Sequence, residues 1–314
     1  MEKIIIDTDP GIDDAFAIFY ALKSPAFDVL GLTTVYGNAS ITQTTHNALA
    51  LVGLAGAEGC PVAQGASAPL HIPERAHPAM VHGEDGLGGC APDAVHGAPI
   101  EQDAVSFIIE TLRANPGEVT LVPIGPLTNI ALALQRAPEI AGLAKRVVLM
   151  GGAAHANGNV TPAAEANIFD DPHAADAVFG ASWPVVMLGL DATHDVELTP
   201  ALVDQLSREG GPQGRFLARA SEQYFAFHRD VVGLPFCHFH DPSALIYCVR
   251  PELFEVRASS VRVVTDGFAA GKTIAKPVSR FTAQEGWEGR APVTLCLGAD
   301  GPAVMAHYCA EMLA

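Results

Sequence analysis

The chain has 314 residues, 49% of them hydrophobic and 17% charged, with a formal charge of −17. This composition supports a sizeable core and excludes a disordered chain. The acidic balance disfavours nucleic-acid phosphates and anionic membranes as partners, and admits neutral substrates and metal cations. No apolar run approaches the ~20 residues that span a bilayer. No signal peptide is visible, because Lys3 leads straight into a short strand that ends in Asp7. Six cysteines without CxxC or short metal spacing read as buried thiols in a reducing compartment, so a cytoplasmic location is expected.

Ile4-Ile5-Ile6 is a β-branched run bounded by turn residues and predicts a buried strand. Pro10-Gly11 breaks it, and Ala15–Leu22 predicts a helix that follows at once. Asp7, Asp9, Asp13 and Asp14 therefore crowd one strand-to-helix turn. Four carboxylates repel one another unless something positive joins them. A helix N-terminus supplies only about half a charge. Capping and first-turn duty accounts for one or two of these aspartates but not for Asp7 and Asp9, which precede the break. A hard divalent cation held by oxygen is the economical explanation.

Phe27–Val35 predicts a second strand, ending at Tyr36-Gly37-Asn38, and Ser40 can cap the helix that follows through Val52. Residues 57–100 are rich in Gly, Pro, Ala and His and read as a long irregular excursion over the sheet. Its glycines suit a lid, with His82 in its reach. Alternation then resumes. Asp103–Arg113, Ile130–Leu134 and Asp171–Phe179 read as helices; Val119–Ile124, Arg146–Met150 and Pro184–Leu190 read as strands. Farther on, Gln213–Arg229 reads as a helix carrying Tyr224 and His228. Ser243–Val249 reads as a buried helix, with His240 and Asp241 at its N-terminus, where Asp241 is as readily an N-cap as a ligand. Phe254–Val264 and Val293–Leu297 read as further strands, and Ala303–Met312 as a closing helix.

Strands spaced by helices predict an α/β fold: one domain over residues 1–314, with an open, mostly parallel, Rossmann-like sheet covered by helices. Asp9, Asn38, Gly125, Gly151 and Asp191 all fall just past predicted strand ends. In such sheets ligands bind at the carboxyl ends of the strands, which draws a single site around the acidic turn.

The stretch Asp7-Thr8-Asp9-Pro10-Gly11-Ile12-Asp13-Asp14-Ala15 resembles the signature of the calcium-dependent, inosine-uridine preferring nucleoside hydrolases. The likeness extends, in order, through Tyr36-Gly37-Asn38, Val122–Asn129, Leu149-Met150-Gly151-Gly152, Asn159–Asn167, Gly189–His194 and His240-Asp241-Pro242, nearly the whole chain. The resemblance implies the nucleoside hydrolase fold and cleavage of a ribonucleoside to ribose and free base by a calcium-bound water. It implies Asp9, Asp14, Asp241 and the Ile124 carbonyl as calcium ligands, and Asp9 as base toward that water. It implies Asp13, Asn38, Asn159, Glu165 and Asn167 on the ribose hydroxyls and Met150 beside the sugar. His240 becomes the acid toward the departing base, with Tyr224 and His228 also in substrate range and His238 a competing candidate. Family members are homodimers or homotetramers. The chemistry suits these residue types: an oxocarbenium-like sugar is favoured by surrounding carboxylates, and a departing base by a histidine.

Two other readings compete. Asp7-Thr8-Asp9 at a strand end also resembles haloacid-dehalogenase-type phosphatases, in which the first aspartate attacks phosphorus. Those want Gly-Thr or Gly-Val after the DxD, where this chain has Pro10-Gly11. A catalytically inactive nucleoside or ribose sensor on the same fold is the other, although a binder has no need of Asp9 as a base.

Overall fold

The strand that opens the chain, β1 (Glu2–Thr8), lies in the interior of the sheet, and the rest is arranged around it. The computed structural model describes residues 1–95, 97–276 and 285–314. After β1 come α1 (Ile12–Lys23), β2 (Phe27–Thr34), α2 (Ile41–Leu54), β3 (Val62–Gln64), α3 (Ala79–His82) and α4 (Ala104–Ala114). The middle of the chain supplies β4 (Val119–Pro123), α5 (Thr128–Arg136), β5 (Arg146–Met150), α6 (Ala166–Asp170), α7 (Pro172–Gly180), β6 (Val185–Leu188) and α8 (Leu190–Thr193). Then follow β7 (Glu197–Leu198), α9 (Pro200–Glu209), α10 (Gly211–Phe227), β8 (Cys237–His238) and α11 (His240–Val249). The last elements are β9 (Phe254–Ser259), β10 (Val261–Val263), β11 (Thr273–Ala275), β12 (Val293–Ala299) and α12 (Gly301–Leu313).

Eight strands form one sheet in the order β3-β2-β1-β4-β5-β6-β12-β9, parallel throughout except where β9 runs antiparallel to β12. A parallel sheet is covered on both faces, so its strands are apolar on both sides. Ile4 and Ile6 enter one hydrophobic layer with Phe16, Leu51, Phe216, Leu245 and Val304, drawn from α1, α2, α10, α11 and α12. Ile5 enters the opposite layer with Ile108, Ile130 and Val178 of α4, α5 and α7. Full burial of each isoleucine contributes about 1.5–3 kcal/mol. The chain builds outward from β1 through β2 to β3, then restarts on its other side with β4. That reversal is the switch point at which open α/β sheets bind ligands.

Helix starts follow local chemistry. Ser40 Oγ accepts from Gln43 N, Asp103 Oδ1 from Ser106 N at 3.0 Å, and Asp171 Oδ1 from Ala174 N at 3.0 Å ahead of Pro172.

Several expectations are corrected. Residues 57–100 are not wholly irregular: Val62–Gln64 pairs with Leu32–Thr34 as an edge strand, and Ala79–His82 makes a helical turn. Phe254–Val264 is not one strand. Ser260 interrupts it, leaving β9 in the main sheet and β10 in a separate antiparallel ribbon with β11. Pro184–Leu190 stops as a strand at Leu188, because Leu190 already opens α8. The helix expected from Ser243 begins at His240 with Phe239 as N-cap, so Asp241 lies inside the first turn and is not the cap. Helix α9 was not anticipated. No helix is long and apolar enough to cross a membrane among the described residues.

Candidate active site

β1 ends at Thr8, α1 begins at Ile12, and the link between them is Asp9-Pro10-Gly11. Gly11 is required by space: a Cβ there would lie 2.5 Å from Asn38 Nδ2 and 2.8 Å from His82 Nδ1. Asp14, in the first turn of α1, accepts hydrogen bonds from Thr8 Oγ1 (2.5 Å), Gly11 N (2.9 Å) and Asn38 Nδ2 (3.1 Å). Asp9 Oδ2 accepts from Asn38 N at 2.7 Å, while its Oδ1 is buried without a partner. Two glycines make room for this carboxylate. A Cβ on Gly37 would sit 2.8 Å from Asp9 Cγ, and one on Gly125 would sit 3.0 Å from it. The glycines after β2 and β4 thus have a specific use beyond ending strands.

Asp241 reaches the same place from α11. Oxygens of Asp13, Asp14 and Asp241 lie within 4.8 Å of one another, all three residues buried. Asp9 stands outside this tightest group, yet its charge is felt by Asp241, and Asp14 is its own strongest charged neighbour. The only basic side chain in ion-pair range of these four, among the described residues, is His82, with Nδ1 4.0 Å from Asp13 Oδ1. Burial drives the carboxyls up: Asp13 and Asp14 to about 6, and Asp9 and Asp241 well above the usual range, with mutual repulsion adding to the last three. Hard oxygens, missing counter-charge and an orphaned Asp9 Oδ1 together fit a divalent cation.

Asp7 is different. It is 1% exposed and lies behind the turn, where its Oδ1 accepts from Thr33 Oγ1 (2.5 Å) and Asn129 Nδ2 (2.8 Å). Burial raises it to about 7. A carboxylate enclosed in this way cannot attack phosphorus, which removes the phosphatase reading.

A second group lies at the ends of β4 and β5. Asn167 Nδ2 donates to the Ile124 carbonyl (2.9 Å) and to the Met150 carbonyl (3.2 Å), tying these two expected positions together. Glu165 caps α6: Oε1 accepts from Asn167 N (3.0 Å), and Oε2 from Gly152 N (2.8 Å) and Ile168 N (3.2 Å). The carboxylate is 2% exposed, is raised by burial, and feels Asp13. Asn159 is exposed, and its Oδ1 accepts from Ala166 N at 3.1 Å, so it braces the loop into α6.

The opposite wall is aromatic. His82 stacks on Tyr224 with centroids 5.8 Å apart, and Tyr224 meets His228 at 4.5 Å. His228 lies 6.2 Å from His238, and His238 5.7 Å from His240. His82 Nδ1 accepts from Ile12 N at 3.2 Å, so the neutral ring carries its proton on Nε2. His228 Nδ1 donates to the Tyr224 carbonyl at 3.0 Å. Burial lowers His240 well below its ordinary value and lowers His82 and His238 to about 4. Neutral rings thus stand beside the acidic group, with His82 next to Asp13 and Tyr224 feeling the charge of Asp13, Asp14 and Asp241.

Some residues escaped the sequence reading. Asn47 is fully buried, and its Nδ2 donates to the Pro10 carbonyl (3.0 Å) and the Asp85 carbonyl (2.8 Å), joining the acidic turn to the loop after His82. The Asp85 side chain in turn accepts from Leu87 N, Gly89 N and Ala91 N. Nothing local in a helical asparagine announces such a link. Asp191, expected to face a ligand, instead spends both oxygens on Ala154 N, His155 N and Ala156 N. Thr193 and His194 stood in a motif, but their contacts with His240 were not foreseen.

The family described as inosine-uridine preferring nucleoside hydrolase matches residues 4–306. Probable uridine nucleosidase 2 of Arabidopsis thaliana is 40% identical over 306 residues, which cover 97% of this chain and 95% of that protein. The structure of a plant nucleoside hydrolase superposes with a TM-score of 0.96 at 38% identity, covering 100% of this chain and 99% of the other. A purine-preferring ribonucleoside hydrolase from Gardnerella vaginalis superposes with a TM-score of 0.91 at 34% identity, covering 99% and 98%. With its acidic turn at the switch point and this match along nearly its whole length, the chain belongs to the inosine-uridine preferring nucleoside hydrolases, enzymes that hydrolyse the N-glycosidic bond of ribonucleosides.

Proposed function

We propose that this hydrolase works with calcium, held by Asp9, Asp14, Asp241 and the Ile124 carbonyl, with Asp13 beside them. The observation that carries the proposal is the buried aspartate group, short of counter-charge and with Asp9 Oδ1 unpartnered. When bound, calcium supplies a positive centre for the two vicinal ribose hydroxyls and makes a nearby water easier to deprotonate. Asp9 accepts the proton of the attacking water. Asp13, Asn38, Asn159, Glu165 and Asn167 hold the ribose hydroxyls, and Met150 packs against the sugar. The buried carboxylates also favour the positive charge that develops on the sugar as the bond to the base breaks. His240 serves the departing base as hydrogen donor, and Tyr224, His228 and His82 line its place. The relatives' names divide between uridine and purine preference, so the base is set by this wall and not by the fold.

A cytoplasmic homodimer or homotetramer, built from one domain per chain, completes the proposal. The test is release of ribose from inosine and uridine before and after exhaustive chelation. Activity should vanish, return with calcium and return poorly with zinc, whose preferred donors are nitrogen and sulfur. Asp9→Asn should lower turnover by about 10²–10⁴-fold, the range for loss of a general base. Full turnover in protein shown metal-free by elemental analysis would refute the proposal.

A further inference from the structure

His240 has two ring nitrogens in unlike settings. Nδ1 lies 2.8 Å from Thr193 Oγ1, at the end of α8. Nε2 makes no hydrogen bond among the described residues and is not one of the sealed, unpartnered atoms, so it keeps an opening to solvent. Either partner of the Thr193–His240 bond has the chemistry to donate, and which one does so decides where the ring proton sits.

The surroundings of Thr193 decide it. The residue is 0% exposed, so water cannot take its hydroxyl hydrogen. A helical threonine or serine often gives that hydrogen to the carbonyl four residues back, as Thr45 does to Ile41 and Ser243 to Phe239. Thr193 makes no such bond. Its backbone N–H goes to the Gly189 carbonyl, and His240 Nδ1 is the one hydrogen-bond partner of its hydroxyl among the described residues. If Nδ1 were the donor, the hydroxyl hydrogen would be buried without an acceptor, a loss of the kind that folded proteins avoid.

We infer that Thr193 is a positioning residue: its hydroxyl donates to His240 Nδ1 and thereby keeps the ring proton on Nε2, aimed at the departing base. The inference rests on the proposed role of His240 and adds what makes that role possible. As the C1′–N bond breaks, its electron pair goes to the base nitrogen, and the Nε2–H hydrogen bond is already in place to stabilise it. The hydroxyl of the attacking water ends on C1′ and its proton on Asp9. His240 neither gains nor loses a covalent bond in this step. His194, 6.0 Å from the His240 ring, and His238, at 5.7 Å, pack against its sides and leave Thr193 to set the tautomer.

The test uses the whole enzyme with calcium present. Nitrogen-15 histidine spectra, with the His240 ring assigned by comparison with His240→Gln, should show a protonated Nε2 and a bare Nδ1. In Thr193→Val a population with protonated Nδ1 should appear. The kcat/KM for inosine should fall about 10–100-fold, the consequence of one buried unpaired group. That for p-nitrophenyl riboside, whose leaving group needs little help, should change less than about 3-fold by the same reasoning. Thr193→Ser, which keeps the hydroxyl, should restore the wild-type spectrum and the inosine rate. A wild-type ring protonated on Nδ1 overturns the inference by itself and leaves the role of His240 standing. A tautomer that shifts as expected, with equal losses on both substrates, overturns instead the reading of His240 as donor to the base.

Discussion

Gly125→Ala is the substitution for which the structure gives the sharpest expectation. Gly125 has no left-handed backbone, so alanine adds no conformational strain there; the only cost is space. The new Cβ would stand 3.0 Å from Asp9 Cγ and 3.1 Å from Asp9 N. Carbon atoms in contact prefer about 3.5–4.0 Å, so the carboxylate must retreat by roughly 0.5–1 Å. Retreat toward the other side is limited by the Asn38 N–H, which already holds Oδ2 at 2.7 Å. Displacement of a reacting group by about 1 Å costs on the order of 10²-fold in rate. Overpacking costs about 1–3 kcal/mol of stability, which a domain of this size survives. Turnover of inosine and uridine should therefore drop about 10²-fold while the far-ultraviolet spectrum and the cooperative melt persist. Gly53→Ala is the control. Its Cβ would meet nothing within 4 Å in the last turn of α2, so activity should be unchanged and stability should hold or rise by up to about 1 kcal/mol. If Gly125→Ala turned over within 3-fold of wild type, Asp9 would not need its present position and the assignment of the base would be wrong.

Other expectations follow from the same geometry. In metal-stripped protein Asp13 and Asp14 titrate near 6 and Asp7 near 7, all above their ordinary value because of burial. These carboxyls keep protons in the folded state that the unfolded chain gives up between about pH 4 and 7, whereas His82, His238 and His240, lowered by burial, act in the opposite sense below their ordinary value of 6.5. Above about pH 6.5 the carboxyl contribution, from Asp7 and from Asp9 and Asp241 that burial raises further, is the one left, so the metal-free melt should fall between about pH 6.5 and 8 and calcium should raise the pH 8 value most; a metal-free melt that climbs with pH over that window would contradict this. Uridine should be preferred to deoxyuridine by roughly 10⁴–10⁵ in kcat/KM, the usual discrimination when a site's hydroxyl partners are left unpaired; comparable constants would remove the vicinal hydroxyls from the metal. His240→Ala should slow inosine by about 10²-fold or more and p-nitrophenyl riboside far less, whereas His238→Ala should affect both alike. Equal losses for His240→Ala would shift the donor role to His238, His228 or Tyr224.

What the sequence made legible was whatever depends on neighbours along the chain. Ile4-Ile5-Ile6 followed by Pro10-Gly11 marked both the buried strand and its break, and the density of aspartate marked the site. The alternation of strands and helices was enough for a parallel sheet. Harder to read was anything decided across the fold. Val62–Gln64 is too short to stand out until Leu32–Thr34 offers it a ladder. The helix at His240 starts three residues early because Phe239 is buried beside Phe16 and Tyr308, which favours packing over capping. Asp191 looked like Asp9, a carboxylate past a strand end, and only the loop folded over it shows that its oxygens are taken. The joint use of Asn47 by two loops depends on positions 37 and 38 residues away, with no periodicity to reveal it.

The interior placement of β1 also bears on how the protein comes apart under load. A force applied at Met1 acts along a strand paired on both sides, to β2 over Glu2–Thr8 and to β4 over Lys3–Asp7. It must shear two parallel ladders together before anything yields, and the aspartate turn is pulled out with them. A force applied at Ala314 first meets α12, a helix outside the sheet whose buried side chains are drawn out one turn after another, Met312 and Tyr308 before Met305 and Val304. A machine that threads proteins from the carboxyl end therefore has the easier task. Single-molecule pulling should record the higher rupture force when the sheet is drawn through its amino-terminal strand.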